Sequence, residues 1–331
     1  MFTLLVVIIG LALLFDVING FHDAANSIAT IVSTKVLSPT VAVVWAAFFN
    51  YIALHLLPLH VAEQVGKGIV DPHAVTLTVL LSGLIAAIVW DLITWWYGIP
   101  TSSSHTLIGG FVGASIAHSG FGVIITSEII RITLFIVLAP LIGMIFALII
   151  TILITQLGRK SNSRRMDKLF RRLQLVSSAV MSIGHGTSDA QKSMGIAYVA
   201  LISAGLISVH DPIPGWVVYA FQIAMALGTL LGGWRIVKTM GQRITKLHPF
   251  EGFSAETAGG LTLIFVALAG IPVSTTHTIA GSIMGVGAAK RLSAVRWGVS
   301  LNMVWAWIIT IPITAVLAAL LYAVLHLFIH V

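Results

Sequence analysis

Cysteine is absent from this 331-residue chain, and charge is scarce: 9% of residues are Asp, Glu, Lys or Arg, against roughly 25% in a soluble domain. The first absence excludes disulfides and any thiolate-held metal. The second excludes an ordinary water-facing surface. Catalytic signatures are missing too. There is no H-E-x-x-H, no His/Asp/Glu cluster with zinc spacing and no G-x-S-x-G elbow. A membrane-embedded enzyme is therefore the weaker reading, and no cofactor or metal site is expected. The formal net charge of +7 does not signal nucleic acid, because the positives concentrate in short loops.

What is present is apolar. Hydrophobic residues make up 58% of the chain, and the mean hydropathy is +1.02. Lipid is the solvent that suits such a composition. Long apolar runs occupy residues 4–18, 41–57, 77–96, 124–157, 215–234 and 299–329, each suited to one or more membrane-crossing helices. The first run has no basic residue before it, so it reads as a span and not as a cleaved signal.

The longest hydrophilic stretch, residues 158–174, carries Arg159, Lys160, Arg164, Arg165, Lys168, Arg171 and Arg172 against the single acid Asp167. Its charge places it in the cytoplasm. It also divides two copies of one pattern. GIPTSSSHTLIGG (98–110) returns as GIPVSTTHTIAGS (270–282) with seven of thirteen positions identical. GFHDAANS (20–27) aligns with GTSDAQKS (186–193) at an offset of 166, while Asn50 with Gln222 and Pro140 with Pro312 share the hairpin offset of 172. Equivalent loops differ in charge. Residues 60–73 hold Glu63, Lys67 and Asp71, whereas 238–251 hold Lys238, Arg243 and Lys246 against one acid; HSGFG (118–122) is uncharged, whereas 290–296 carry three positives. Lys35 stands near the position equivalent to Asp211. Opposite bias puts the copies in opposite orientation. The chain thus divides into a first transmembrane repeat (1–157), a basic cytoplasmic linker (158–174) and a second, inverted repeat (175–331), with both termini outside.

Residues 1–34 and 173–208 are each too long for one straight crossing at about 1.5 Å per residue. Both contain glycine and polar residues, so both are expected to be helices broken at mid-membrane, with Gly20, Gly184 and Gly186 easing the unwinding. An inverted repeat needs an odd number of crossings. If the 98–110 and 270–282 hairpins dip and return, 124–156 crosses twice with a break near Pro140; if they span, it crosses once.

In each hairpin, Gly-Ile-Pro ends one helix. Ser102 or Ser274 can then cap the next, whose free amides and positive dipole end form an anion site. Glycines 109, 110, 113, 281 and 285 permit close helix contact. An aspartate in the membrane centre costs roughly 2.5–3.5 kcal/mol on insertion scales, so Asp23 and Asp189 are expected to face a cavity or an ion. The expected fold is an all-α polytopic membrane protein of two inverted-topology repeats, whose broken helices and helical hairpins meet at a mid-membrane site.

The motifs GFHDAANS and GHGTSDAQKSMG, with the flanks DVINGFHDAANSIATIVSTKVLSP and IPTSSSH, resemble the paired signature of the inorganic phosphate transporter (PiT) family. That resemblance implies a secondary transporter importing inorganic phosphate, alone or as a metal–phosphate complex, by symport with a proton or sodium. It maps binding residues onto Asp23, Asn26, Ser102, Ser103, Ser104, Asp189, Lys192, Ser193, Ser274, Thr275 and Thr276. Gln191, within the second motif, is added to the anion-binding set. Cation coupling is expected at Asp23 and Asp189 with His22, Asn50 and Gln222. The family's motif asparagine is His22 in one copy and Ser188 in the other, and sodium-coupled members typically carry glutamates where Asn50 and Gln222 stand.

His105 and His277 are expected to donate bonds that fix the hairpin backbones, while Asp91 is expected at an interface beside Trp95 and Trp96. His185 and Asp16 are further candidates. Lys192 pairs either with phosphate or with an aspartate. A homodimer is carried as an expectation. The alternatives to a phosphate transporter are a channel and a permease for sulfate or another tetrahedral oxyanion. Phosphate is favoured over sulfate because a P–OH can donate to a facing carboxylate, whereas sulfate at neutral pH has no proton to give.

Overall fold

The computed structural model describes residues 2–71 and 74–328. Met1, His73 and Ile329, which end three of the segments read above, lie outside them. The regular elements are helices. The first half contributes α1 (Phe2–His22), α2 (Ala24–Ser33), α3 (Pro39–Ile52), α4 (His60–Gly68), α5 (Leu77–Tyr97), α6 (Ser103–Ser119) and α7 (Thr126–Gly158). The second half contributes α8 (Ser163–Ser203), α9 (Gly215–Leu231), α10 (Trp234–Lys238), α11 (Pro249–Leu268), α12 (Thr275–Lys290) and α13 (Trp297–Leu325). The two lists correspond. Long helix α8 matches α1 with α2, and the bent pair α9–α10 matches the bent pair α3–α4. The antiparallel hairpin α11–α12 matches α5–α6, and α13 matches α7.

By length and composition, the α1–α2 unit, α5, α7 and α13 could each cross a membrane, and each bent pair could make one further span. This is an all-α polytopic membrane fold of two inverted repeats. Helix α7 runs unbroken through Pro140, and α13 through Pro312. The break near Pro140, expected if the hairpins dip and return, is absent. Loss of one backbone bond per proline is tolerated because the helix continues on both sides.

Only one of the two expected helix breaks is present. The first comes at Asp23, which separates α1 from α2 without a sharp bend. Its counterpart Asp189 lies inside α8, an uninterrupted helix of 41 residues. Gly184 and Gly186 do not unwind it. They admit neighbours instead: a Cβ on Gly186 would stand 2.6 Å from the Asn50 carbonyl oxygen, and one on Gly184 3.1 Å from that of Gly260. Gly20 plays the same part against Met225 of α9. The basic linker is also largely helical, since α8 begins at Ser163 with Asn162 as its cap.

The hairpins follow their sequence closely. Helix α5 ends at Gly98 (φ 66°) and α11 is followed by Gly270 (φ 67°), both in the left-handed region open to glycine. After the proline, Ser102 Oγ accepts from the His105 amide at 3.3 Å, and Ser274 Oγ accepts from the His277 amide at 3.2 Å. The outgoing helices then cross the other half of the molecule, α6 on α13 and α12 on α7. A Cβ on Gly109 would sit 2.8 Å from the Ile311 oxygen; one on Gly281 would sit 2.7 Å from the Pro140 carbonyl carbon, and one on Gly285 2.8 Å from that of Met144. Gly113 makes the fourth such approach, to Ala315. Two glycines four apart thus let backbone meet backbone at both crossings.

Replacing Gly281 or Gly113 with alanine should destabilise the folded protein by about 1–3 kcal/mol through overpacking. Gly10→Ala is the control, because no heavy atom lies within 4 Å of the position its new methyl group would take. Thermal unfolding midpoints in detergent would measure this; equal midpoints for all three variants would refute the crossing as drawn.

Candidate functional site

Asp23 closes α1 and opens α2, so its side chain lies where the helix ladder is interrupted. Helix α8 carries Asp189 past the same point. Ligand atoms of Asp23, His185 and Asp189 all come within 4.8 Å of one another, and all three residues are buried. The repeated motif leads one to expect Asp23 and Asp189 together; His185 is the member that the repeat does not supply. The His185–Asp189 half was visible: residues four apart on a helix share a face.

Each carboxylate has a nitrogen partner. His22 Nδ1 lies 2.6 Å from Asp23 Oδ1, and its Nε2 lies 3.0 Å from Thr94 Oγ1. Lys192 Nζ lies 2.7 Å from Asp189 Oδ1, with His185 Nε2 3.3 Å from Oδ2. The Lys192 ammonium also donates to Ser104 Oγ at 2.5 Å and to the Val273 carbonyl at 2.6 Å. Ser104 belongs to the first hairpin and Val273 to the second, so one cation ties both tips to Asp189.

The second hairpin completes the link. Thr275 Oγ1 donates to Asp189 Oδ2 at 2.8 Å, and Thr276 Oγ1 reaches Asp23 Oδ2 at 3.5 Å. Between them, Asn26 Nδ2 donates to both threonine hydroxyls at 3.0 Å. Asp23, Asn26, Ser104, Asp189, Lys192, Thr275 and Thr276 therefore form one network. Ser103 lies beside it with its buried hydroxyl lacking a protein partner. Ser102 and Ser274 serve as helix caps. In the first turns of α6 and α12 the caps take the His105 and His277 amides, which leaves those of the residues just before them, at 103–104 and 275–276, without a partner in their own helices.

Other expected site residues point elsewhere. Gln191 follows Asp189 by two residues, about 200° around an unbroken helix. Its Oε1 accepts from the amides of Val61 and Ala62 at 3.0 and 3.2 Å, and its Nε2 donates to the Pro58 carbonyl at 2.8 Å. It holds the bend before α4 and is not part of the anion network. Ser193 donates to Asp16 Oδ1 at 2.8 Å. Asn50 and Gln222, the equivalent amides of the two repeats, engage each other's surroundings: Gln222 Nε2 donates to the Asn50 carbonyl, and Asn50 Nδ2 donates to Thr229 Oγ1 at 2.9 Å. Asn50 Oδ1 lies 3.4 Å from His185 Nδ1, which connects this pair to Asp189 at one remove.

The repeated histidines do not act as backbone donors to their own tips. Their rings meet across the two hairpins with centroids 4.7 Å apart, and His277 stacks on Trp307 at 4.0 Å. Trp307 Nε1 donates in turn to the Pro100 carbonyl at 2.9 Å, so α13 holds the first tip. Asp91 is fully buried and not interfacial. It lies one helical turn before Thr94, the partner of His22, a role sequence reasoning did not assign.

Two repeats that bring both hairpin tips against a shared pair of buried carboxylates give the architecture of a membrane transporter. Residues 19–318 match the Phosphate transporter family, and the chain belongs to it. It is 54% identical over 321 residues to a probable low-affinity inorganic phosphate transporter of Rhizobium meliloti, covering 97% of this chain and 96% of that one. A Bacillus subtilis protein of the same description is 45% identical over 327 residues, covering 98% and 97%. Among solved structures, the sodium-dependent phosphate transporter superposes with a TM-score of 0.89 at 24% identity, covering 99% of this chain and 100% of that one. These relatives are transporters and not enzymes.

Lys192→Met should leave Asp189 short of a charge partner in a buried setting and lower stability by about 3–5 kcal/mol. Adding Asp189→Asn to it should recover much of that loss. Unfolding midpoints that are no lower for the single variant than for the double one would contradict the pairing.

Proposed function

We propose that this protein imports inorganic phosphate by proton symport, with anion and proton bound between the two hairpin tips. The reading rests on one observation: the Asp23–Thr276–Asn26–Thr275–Asp189 chain of hydrogen bonds, which joins both repeats' acids to the donors that face an oxyanion. Ser103 and Ser104 have hydroxyl donors to spare, and an entering anion would draw the Thr275, Thr276, Asn26 and Lys192 donors away from one another and from the acids. The starts of α6 and α12 add backbone amides and their positive dipole ends. A tetrahedral anion uses donors from several directions, as two opposed helix starts provide. The carboxylates offset that positive surplus and accept the P–OH of protonated phosphate, which sulfate lacks.

Proton coupling is favoured by the nitrogen partners. Sodium prefers an all-oxygen cage, whereas Asp23 faces His22 and Asp189 faces His185 and Lys192. The sodium-dependent relative shares the architecture, so sodium is the alternative driving ion. A second reading concerns the form of the cargo. The convergence of Asp23, His185 and Asp189 within 4.8 Å suits a divalent metal travelling with phosphate as a metal–phosphate complex. We place the protein in the cytoplasmic membrane, with the basic linker and α8 start on the cytoplasmic side and the termini outside.

Alternating access fits this arrangement, because the site is made half by each repeat and rocking one against the other opens one side at a time. The test is uptake of labelled phosphate into proteoliposomes under imposed gradients. An inward proton gradient should drive accumulation, a sodium gradient alone should not, and excess sulfate should compete poorly. Asp23→Asn and Asp189→Asn should each lower uptake about a hundredfold or more, equivalent to about 2.7 kcal/mol, without loss of membrane insertion. Accumulation driven by sodium but not by protons would overturn the coupling assignment, and retained uptake in both variants would overturn the site. Dependence of uptake on added Mg²⁺ or Mn²⁺ would identify the complex as the cargo.

A further inference from the structure

Away from the centre, α11 carries a fully buried carboxyl, Glu256, that the site does not use. Thr30 Oγ1 donates to its Oε1 at 2.6 Å, Gln174 Nε2 to the same oxygen at 2.9 Å, and Ser177 Oγ to Oε2 at 2.5 Å. Thr34 Oγ1 donates to Gln174 Oε1 at 2.9 Å, extending the cluster toward the linker. Gly252, one turn before Glu256, leaves room for the Gln174 amide: a Cβ there would come within 2.8 Å of Cδ. Every partner is neutral. None of the ion pairs among the described residues includes Glu256.

Charged groups on the elements around it are committed elsewhere or, like Arg164, Arg165, Lys168 and Arg172 of α8, exposed. On α8, Arg171 bonds Asp167 and the Lys35 carbonyl, while His185 faces Asp189 and Asn50. On α11 itself, Glu251 pairs with Lys290 of α12, and His277 of α12 packs on His105 and Trp307. Helix α7 brings Arg131 to the far end of α11, at the Ala269 carbonyl, and α4 brings the exposed Glu63. Helix α2 has no titratable side chain. A carboxyl removed from water with only neutral partners is costly as an anion, by several kcal/mol, and at ease as a neutral acid.

Its position gives that chemistry a use. Asn26 and Thr30 of α2 and its C-cap Thr34 are spaced four apart and share one face, rising about 6 Å per step from the central network toward the basic linker. On α8, Asp189, His185, Ser178 with Ser177, and Gln174 make the matching stripe. Glu256 stands between the two. The other repeat contains the same four positions, and there they are apolar. At the offsets of the duplicated motifs, Thr30, Gln174, Ser177 and Glu256 correspond to Ile196, Ile8, Leu11 and Leu84. Those four join one hydrophobic cluster. The duplication alone does not account for a buried acid on one side only.

We propose that Glu256 is a second proton-carrying carboxyl, which takes up the coupling proton on the linker-side path and must be neutral for phosphate to pass. The proton adds to the carboxylate to give the acid, and leaves to linker-side water once the anion has gone by, restoring the carboxylate. An ionised Glu256 repels the departing anion; the neutral acid donates to it. The proposal rests on the proton-symport reading above.

Glu256→Gln keeps the shape and the Thr30 and Gln174 bonds at its oxygen, with Ser177 turned to accept from its amide, but it cannot ionise. In proteoliposomes it should preserve phosphate–phosphate exchange within about twofold, while net uptake driven by a proton gradient falls about tenfold or more and its pH profile flattens. An internal pH dye should record fewer protons per phosphate. Glu256→Leu, which reproduces the residue at Leu84, should lower exchange as well. A Glu256→Gln protein with the pH profile and proton count of the parent would overturn the proposal while leaving proton symport standing. So would a variant that loses only a sodium response. A parent that moves phosphate without protons would overturn both.

Discussion

Two carboxylates at the middle of a lipid-embedded fold cannot be left without positive charge, and most of the architecture follows from meeting that requirement twice. Asp23 takes His22, and Asp189 takes Lys192 and His185. Lys192 can satisfy its remaining two donors only by reaching Ser104 on one hairpin and Val273 on the other. The hairpin tips must therefore stand side by side. Once they do, Thr275 and Thr276 fall within reach of the acids, and Asn26 spans both hydroxyls. Charge balance, tip placement and the donor-rich face form one system, in which removing any member leaves a desolvated group exposed to its neighbours.

The duplication, the capping serines, the hairpin turns and the glycine contacts were all legible in the chain, because each depends on local geometry that a short motif specifies. Gly98 and Gly270 show this well: a proline two residues on and a serine four residues on leave little but a left-handed stop. The glycines of α8 were not legible. Glycine beside a buried acid serves equally to unwind a helix or to admit another backbone, and only the position of Asn50 on α3 decides between them. Reading Gly186 as a hinge carries an error forward. A broken helix would free Gln191 to face the centre, whereas the continuous one turns it toward the bend before α4.

His185 and Asp91 show a different limit. Both are visible as polar residues in apolar surroundings, yet their use depends on partners from distant elements. His185 shares a face with Asp189 by spacing alone, but its other nitrogen finds Asn50, which belongs to the other repeat. The acid cluster of Asp23 and Asp189 is legible because the motif repeats. Glu256 has no repeated partner, and a method that looks for symmetry passes over it.

The crossed attachment of the hairpins bears on biosynthesis. Helix α6 lays Gly109 and Gly113 against α13, yet α6 ends at Ser119 and α13 begins only at Trp297. Until the ribosome has delivered that distant segment, the first hairpin can settle only on α1, and its serine-rich tip has no Trp307 to hold it. The amino-terminal half must therefore wait in the bilayer unfinished. Its hairpin is seated only when the carboxyl-terminal half arrives.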